Sequence, residues 1–121
     1  MAVALVIDDN RETADMLCRM LNYLGLEAQP VYGPRAALME FTKETPSVIL
    51  LDISMPGIDG FEVMAYMQRD PLLAQVPVLV VTTDDQEETR LRCEAAGAAA
   101  VLVKPISLGM LETALRTSQL I

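Results

Sequence analysis

Histidine is absent from this chain of 121 residues. Without an imidazole there is no Ser-His-Asp or Cys-His site, most zinc sites are excluded, and the chain cannot carry a phosphohistidine of its own. Cysteine is almost as scarce. Cys18 and Cys93 form no CxxC or other metal-binding spacing, and an intracellular domain of this size needs no disulfide staple, so both are expected to be buried small hydrophobes. Long apolar runs are also lacking: 52% of the residues are hydrophobic, yet no run approaches the ~18 needed to span a bilayer. The start, MAVALVIDDN, has no basic leader region and turns acidic at Asp8. Cations are outnumbered, with 9 Lys plus Arg against 17 Asp plus Glu and a net charge of -8, which repels phosphate backbones and anionic lipids. These deficits predict a soluble, unexported, cytoplasmic protein with no direct nucleic-acid binding and no membrane insertion. The length suits one compact domain, 1–121, that can bury roughly two thirds of its unfolded surface.

What is present is an alternation. Val3 to Ile7, Val48 to Leu51, Val76 to Val81 and Ala99 to Val103 are short continuous apolar runs, the pattern of strands buried on both faces. Glu27 to Tyr32 is a weaker strand whose Pro30 places it at a sheet edge. Between them, Ala14, Leu17, Cys18, Leu21 and Leu24 make a helical stripe closed by Gly25, and Ala37, Leu38 and Phe41 make another between Gly33-Pro34 and Pro46. Phe61, Met64, Ala65 and Met67 mark a third helix ending before Asp70-Pro71. A charged fourth runs from about Gln86 to Ala96 and stops at Gly97, and Leu108, Leu111 and Leu115 mark the fifth. Five β-α units with right-handed crossovers predict an α/β fold: one doubly wound five-stranded parallel sheet, order 2-1-3-4-5, helices on both faces. The first and last helices would cover one face and the middle three the other. Cys18 and Cys93 would then lie on opposite faces, unable to pair.

Open sheets of this kind place their sites beyond the carboxyl ends of the strands. There the first strand delivers Asp8 and Asp9, the third Asp52, the fourth Thr82 and Thr83, and the fifth Lys104. Singly, each has an ordinary explanation: Asp8-Asp9-Asn10 caps a helix, Asp52 opens a turn, Thr82 ends a strand, Lys104 is a solvated loop charge. Jointly the coincidence is improbable. Two carboxylates about 4 Å apart repel by roughly 4 kcal/mol at an effective dielectric near 20, which favours protonating one or recruiting a cation. All-oxygen ligands select a hard ion, and few protein carboxylates with several retained waters select magnesium. The stretch VILLDISMPGIDG has the same logic: a rigid buried strand fixes Asp52, and Pro56-Gly57 turns the chain away to leave the acid open.

These residues are a family's signature. The acidic pair after strand one, LLDISMPGIDG, VVTT and KP, at matching separations along the whole chain, resemble the receiver domain of two-component response regulators, a flavodoxin-like fold. The resemblance implies that Asp52 is the phosphoacceptor, that Asp8 and Asp9 hold Mg2+ together with Asp52 and the backbone carbonyl of Ser54, and that Thr82 and Lys104 meet the phosphoryl group. It implies a cis peptide at Lys104-Pro105. It also implies a signalling module rather than an enzyme with an external substrate, catalysing only its own phosphorylation and dephosphorylation. With no histidine in the chain, the phosphohistidine donor, a histidine kinase or phosphotransfer protein, must act in trans. An output domain or effector protein would read the surface of helix four, strand five and helix five.

The sequence departs from the family at two places. Where Tyr or Phe often stands three residues before the lysine, this chain has Val101, whose stiff, ringless side chain cannot act as an aromatic switch. Thr83 is bulkier than the usual Ala or Gly and would narrow access to Asp52. Ser54 and Asp84 flank the site at positions from which phosphoryl hydrolysis could be tuned. Val101 keeps open a second reading, a receiver-like interaction scaffold not regulated by phosphorylation. A magnesium phosphohydrolase would need an acid two residues after Asp52, where Ser54 stands, and a nucleotide binder would need a glycine-rich loop where Asp8 and Asp9 repel phosphate. The Glu87, Glu88, Arg90, Arg92 cluster reads as a solvated helix face. Met16, Met20, Met39, Met64 and Met67 read as core filler or as an adaptable binding patch.

Overall fold

The computed structural model describes residues 3–54 and 59–121. The chain runs β1 (Ala4–Ile7), α1 (Arg11–Tyr23), β2 (Ala28–Val31), α2 (Pro34–Phe41), β3 (Val48–Asp52), α3 (Gly60–Gln68), a 3-10 turn (Leu73–Gln75), β4 (Val78–Thr82), α4 (Glu87–Ala95), β5 (Ala100–Val103) and α5 (Leu108–Thr117). The five strands form one parallel sheet in the order β2-β1-β3-β4-β5. The doubly wound α/β architecture expected from the sequence is therefore the one observed. Every residue of β1, β3 and β4 is buried, as continuous apolar runs covered on both sides must be.

Side chains alternate across the sheet and so feed two cores. Ile7, Ile49, Leu51 and Val80 meet Ala37, Phe41, Val63, Met64, Met67 and Cys93 under α2, α3 and α4. Val6, Leu50, Leu79 and Val81 meet Ala14, Leu17, Leu21, Leu111 and Leu115 under α1 and α5. Cys18 belongs to the second core and Cys93 to the first, and both are free thiols, as their predicted placement requires. Burial pushes the Cys18 thiol up to about 11, with the neighbouring Asp15 adding to it, and burial also raises Cys93. At pH 8 the folded protein is expected to resist iodoacetamide at both positions and to take up two adducts only in denaturant, measured as intact mass.

Helix ends follow local chemistry. Asn10 caps α1 by accepting the Thr13 N–H at 3.0 Å, Asp59 caps α3 through Glu62 N at 3.0 Å, and Ser107 caps α5 through Met110 N at 3.1 Å. Gly25 (φ 93°) and Gly97 (φ 106°) supply the left-handed residue that ends α1 and α4.

Four features differ from the sequence reading. The second helix stops at Phe41, well before Pro46, because Phe41 is its last apolar residue; the Thr42 hydroxyl then bonds back to the Met39 carbonyl at 2.7 Å. The fourth strand starts at Val78, since Pro77 has no N–H for the ladder, although its carbonyl accepts Ile49 N at 3.0 Å. In α3, Ala65 faces solvent and Val63 faces the core. The 3-10 turn buries Leu73, which periodicity did not mark. Of the methionines, Met64 and Met67 fill the core, Met16 and Met20 are half-buried, and Met39 is exposed. The Pro56-Gly57 turn lies outside the described residues.

Candidate functional site

Backbone hydrogen bonds carry the sheet's rigidity into the strand ends. Asp8 N donates to the Val31 carbonyl at 3.1 Å, and Lys104 N donates to the Thr82 carbonyl at 2.7 Å. The register sets Ile7 beside Leu51, Asp52 beside Val81, and Thr82 beside Val103. Residues far apart in the chain therefore reach the same edge. The Lys104-Pro105 peptide is cis, as expected.

One carboxylate oxygen from each of Asp8, Asp9 and Asp52 lies within 4.8 Å of the others. Asp8 and Asp52 are buried, at 1% and 7% exposure, and Asp9 is open to solvent. Asn10 N donates to Asp8 Oδ1 at 2.9 Å, and Ser54 N donates to Asp52 Oδ1 at 2.9 Å. The other oxygens turn to the cation: Lys104 Nζ is 3.3 Å from Asp8 Oδ2 and 3.7 Å from Asp52 Oδ2. The Asp52 carboxyl is pushed above its ordinary value chiefly by burial; the Ser54 amide opposes this, Asp8 adds to it and Lys104 counteracts it. One ammonium facing three carboxylates leaves a surplus of negative charge. The donor set, all oxygen and partly open, fits a hard divalent ion that keeps water ligands.

Each residue singled out from the sequence is accounted for. Asp8, Asp9, Asp52 and Lys104 converge; Thr82 is 1% exposed at the end of β4, and Ser54 is exposed but gives its amide to Asp52. Thr83 is exposed and lines a cavity of about 410 Å³ with Thr13, Met16, Lys104, Pro105 and Ile106. Val101 pairs with Val80 and packs against the core under α2 to α4. The Asp84 carboxylate accepts Gln86 N at 2.9 Å and the Thr89 hydroxyl at 2.5 Å, at the start of α4. Sequence reading missed the Asn10 amide on Asp8, whose signal is the short polar residue two places on, and the Thr89 partner of Asp84, which has no signal in spacing.

Comparison with known proteins points the same way. The chain is 32% identical over 117 residues to Protein PilH of Pseudomonas aeruginosa, covering 97% of this chain and 94% of that one. It is 33% identical over 113 residues to Response regulator PleD of Caulobacter vibrioides, but spans only 25% of PleD. The chemotaxis protein CheY4 of Vibrio cholerae superposes with a TM-score of 0.89 at 30% identity, covering 97% of this chain and 98% of that one. Among the described residues no helix is long and apolar enough to cross a membrane. Receiver domains are phosphoacceptor signalling domains rather than classical enzymes, and they bind Mg2+ at an acidic cluster. The defining pattern of the response regulator receiver domain matches residues 4–116, and the chain belongs to that family of two-component signalling proteins.

Proposed function

We propose that Asp52 accepts a phosphoryl group from a phosphohistidine on a histidine kinase or phosphotransfer protein in trans, and that the unit performing this spans residues 1–121. The observation that carries the reading is the approach of the Asp8, Asp9 and Asp52 oxygens to one another with Lys104 Nζ alongside. Asp8, Asp9, Asp52 and the Ser54 carbonyl would hold Mg2+, which when bound supplies positive charge against the equatorial phosphoryl oxygens.

The chain's own residues do the rest. β3 fixes the Asp52 carboxylate and the Ser54 amide orients it. An Asp52 oxygen attacks phosphorus in line; the O–P bond forms as the P–N bond to the donor imidazole breaks, its electron pair leaving on nitrogen. Lys104 moves from carboxylates to phosphoryl oxygens, and the Thr82 hydroxyl donates to another. The product is a mixed anhydride, open to later hydrolysis. Its nearly two negative charges, in a site already surplus in negativity, favour a rearranged loop after β4.

A groove of about 630 Å³ between β5 and α5, lined by Val101, Leu102, Val103, Met110 and Ala114, supports an effector surface there. The ringless Val101 favours the second reading, a scaffold indifferent to phosphorylation. One measurement separates the two. With Mg2+ and acetyl phosphate, intact mass is expected to show a single phosphoryl adduct, lost on chelation and in Asp52→Asn. An unmodified wild type would leave the scaffold.

A further inference from the structure

Nine residues long and strongly charged, α4 buries one side chain, Cys93. A helix so short is not stable alone, so the contacts that hold it decide where it sits. Arg90 bridges Glu87 and Glu94 along its exposed face. Its C-terminal half is anchored by fully buried Cys93 and by the Arg92 guanidinium, 3.8 Å over the Phe61 ring of α3. Its N-terminal half hangs on Asp84. That carboxylate takes the Gln86 amide and the Thr89 hydroxyl, which hold it below the ordinary range, Thr89 more strongly. The Asp84 amide donates to Thr82 Oγ1 at 3.0 Å.

Asp84 thus joins the buried Thr82 hydroxyl oxygen, through its amide, to the first turn of α4, through its carboxylate. We propose that Asp84 is a positioning residue that couples Thr82 to α4, the device by which a chain with Val101 in place of an aromatic ring passes its signal outward. This rests on the reading of Asp52 as phosphoacceptor. Thr82 Oγ1 accepts from Asp84 and keeps its own proton to donate, so a phosphoryl oxygen that captures that proton draws Thr82, the Asp84 amide and the helix start together. α4 then pivots about Cys93 and Arg92. The ring a receiver would otherwise swing inward is not needed, because the pull travels along the loop itself.

The test is hydrogen exchange by mass spectrometry over residues 84–95, with and without Mg2+ and acetyl phosphate, and intact mass recorded on the same samples. In wild type, phosphorylation is expected to change the exchange rate of this segment by about threefold or more. Asp84→Ala and Thr89→Val should form the adduct and lose that response, while Asp84→Asn, which keeps an acceptor oxygen, should restore part of it. Among the described residues the Thr89 hydroxyl bonds to Asp84 alone, so Thr89→Val decides the matter should Asp84→Ala fold poorly. An adduct in wild type and Thr89→Val with equal α4 responses overturns the coupling alone. A wild type that forms no adduct overturns the reading of Asp52 and the coupling with it.

Discussion

Gly60→Ala is expected to destabilise the protein by about 2–3 kcal/mol, the upper end for overpacking a closed site. A Cβ at this position would lie 2.5 Å from Ile53 Cα, 2.8 Å from Ile53 Cγ2 and 2.9 Å from the Asp52 carbonyl oxygen. Two of the three are backbone atoms, which cannot swing aside as a side-chain end does. Gly60 opens α3 and its amide donates to the Ile53 carbonyl at 3.3 Å, so the helix start rests directly on the end of β3. Relief requires sliding α3 away from the residue that follows Asp52. Phosphoryl acceptance should therefore fall with stability. Gly109→Ala is the control: inside α5, its nearest neighbour would be Ser107 Oγ at 4.0 Å, and better helix propensity should make it neutral or stabilising by up to about 1 kcal/mol. Urea titrations of the two variants beside wild type measure the contrast, and equal midpoints would refute the close-approach account.

Gly60 also shows where sequence reading stops. Nothing in GIDGFEVM distinguishes a glycine required by a neighbouring strand from one that merely begins a helix; the requirement exists only once β3 and α3 have met. The same holds for Ala65 and Val63, whose roles in α3 are fixed by the angle at which the helix lies on the sheet, and for Thr89, which faces Asp84 through a loop conformation. Pro77 kept Val76 out of β4, although the apolar run ran through both. By contrast, the sheet order and the pairing of helices with faces were readable because burial on both sides leaves continuous apolar strands, and crossover handedness then restricts the winding. The charged residues were readable for a different reason. An acid at the end of an apolar strand costs stability unless something is gained by it, and here two strand ends bear acids and a third an ammonium, which the topology brings together.

Lys104→Met is expected to move two quantities in opposite directions. Lys104 Nζ stands 3.3 Å from Asp8 Oδ2 and 3.7 Å from Asp52 Oδ2, and its side chain is 21% exposed, so the ammonium competes with any metal for the same oxygens. Methionine keeps the aliphatic stem and removes the charge. Mg2+ should then bind several-fold tighter, by titration calorimetry at pH 8, because the three carboxylates lose the one cation paired with them among the described residues. Adduct formation from acetyl phosphate should nonetheless slow by about 10²–10³-fold, the usual loss when one donor to developing oxyanion charge is removed. The pH dependence carries a further sign. Burial already raises the Asp52 carboxyl and Lys104 counteracts this, so the substitution raises it further, and a protonated carboxyl cannot attack phosphorus. The rate deficit should accordingly deepen as the pH is lowered. In the metal-free protein the stability lost through Asp52 should appear only above its folded value in the wild type, since below it the carboxyl is protonated in both folded proteins and the substitution changes nothing. If Mg2+ affinity and rate fall together, Lys104 is a structural prop for the two buried acids, and its role toward the phosphoryl group is refuted.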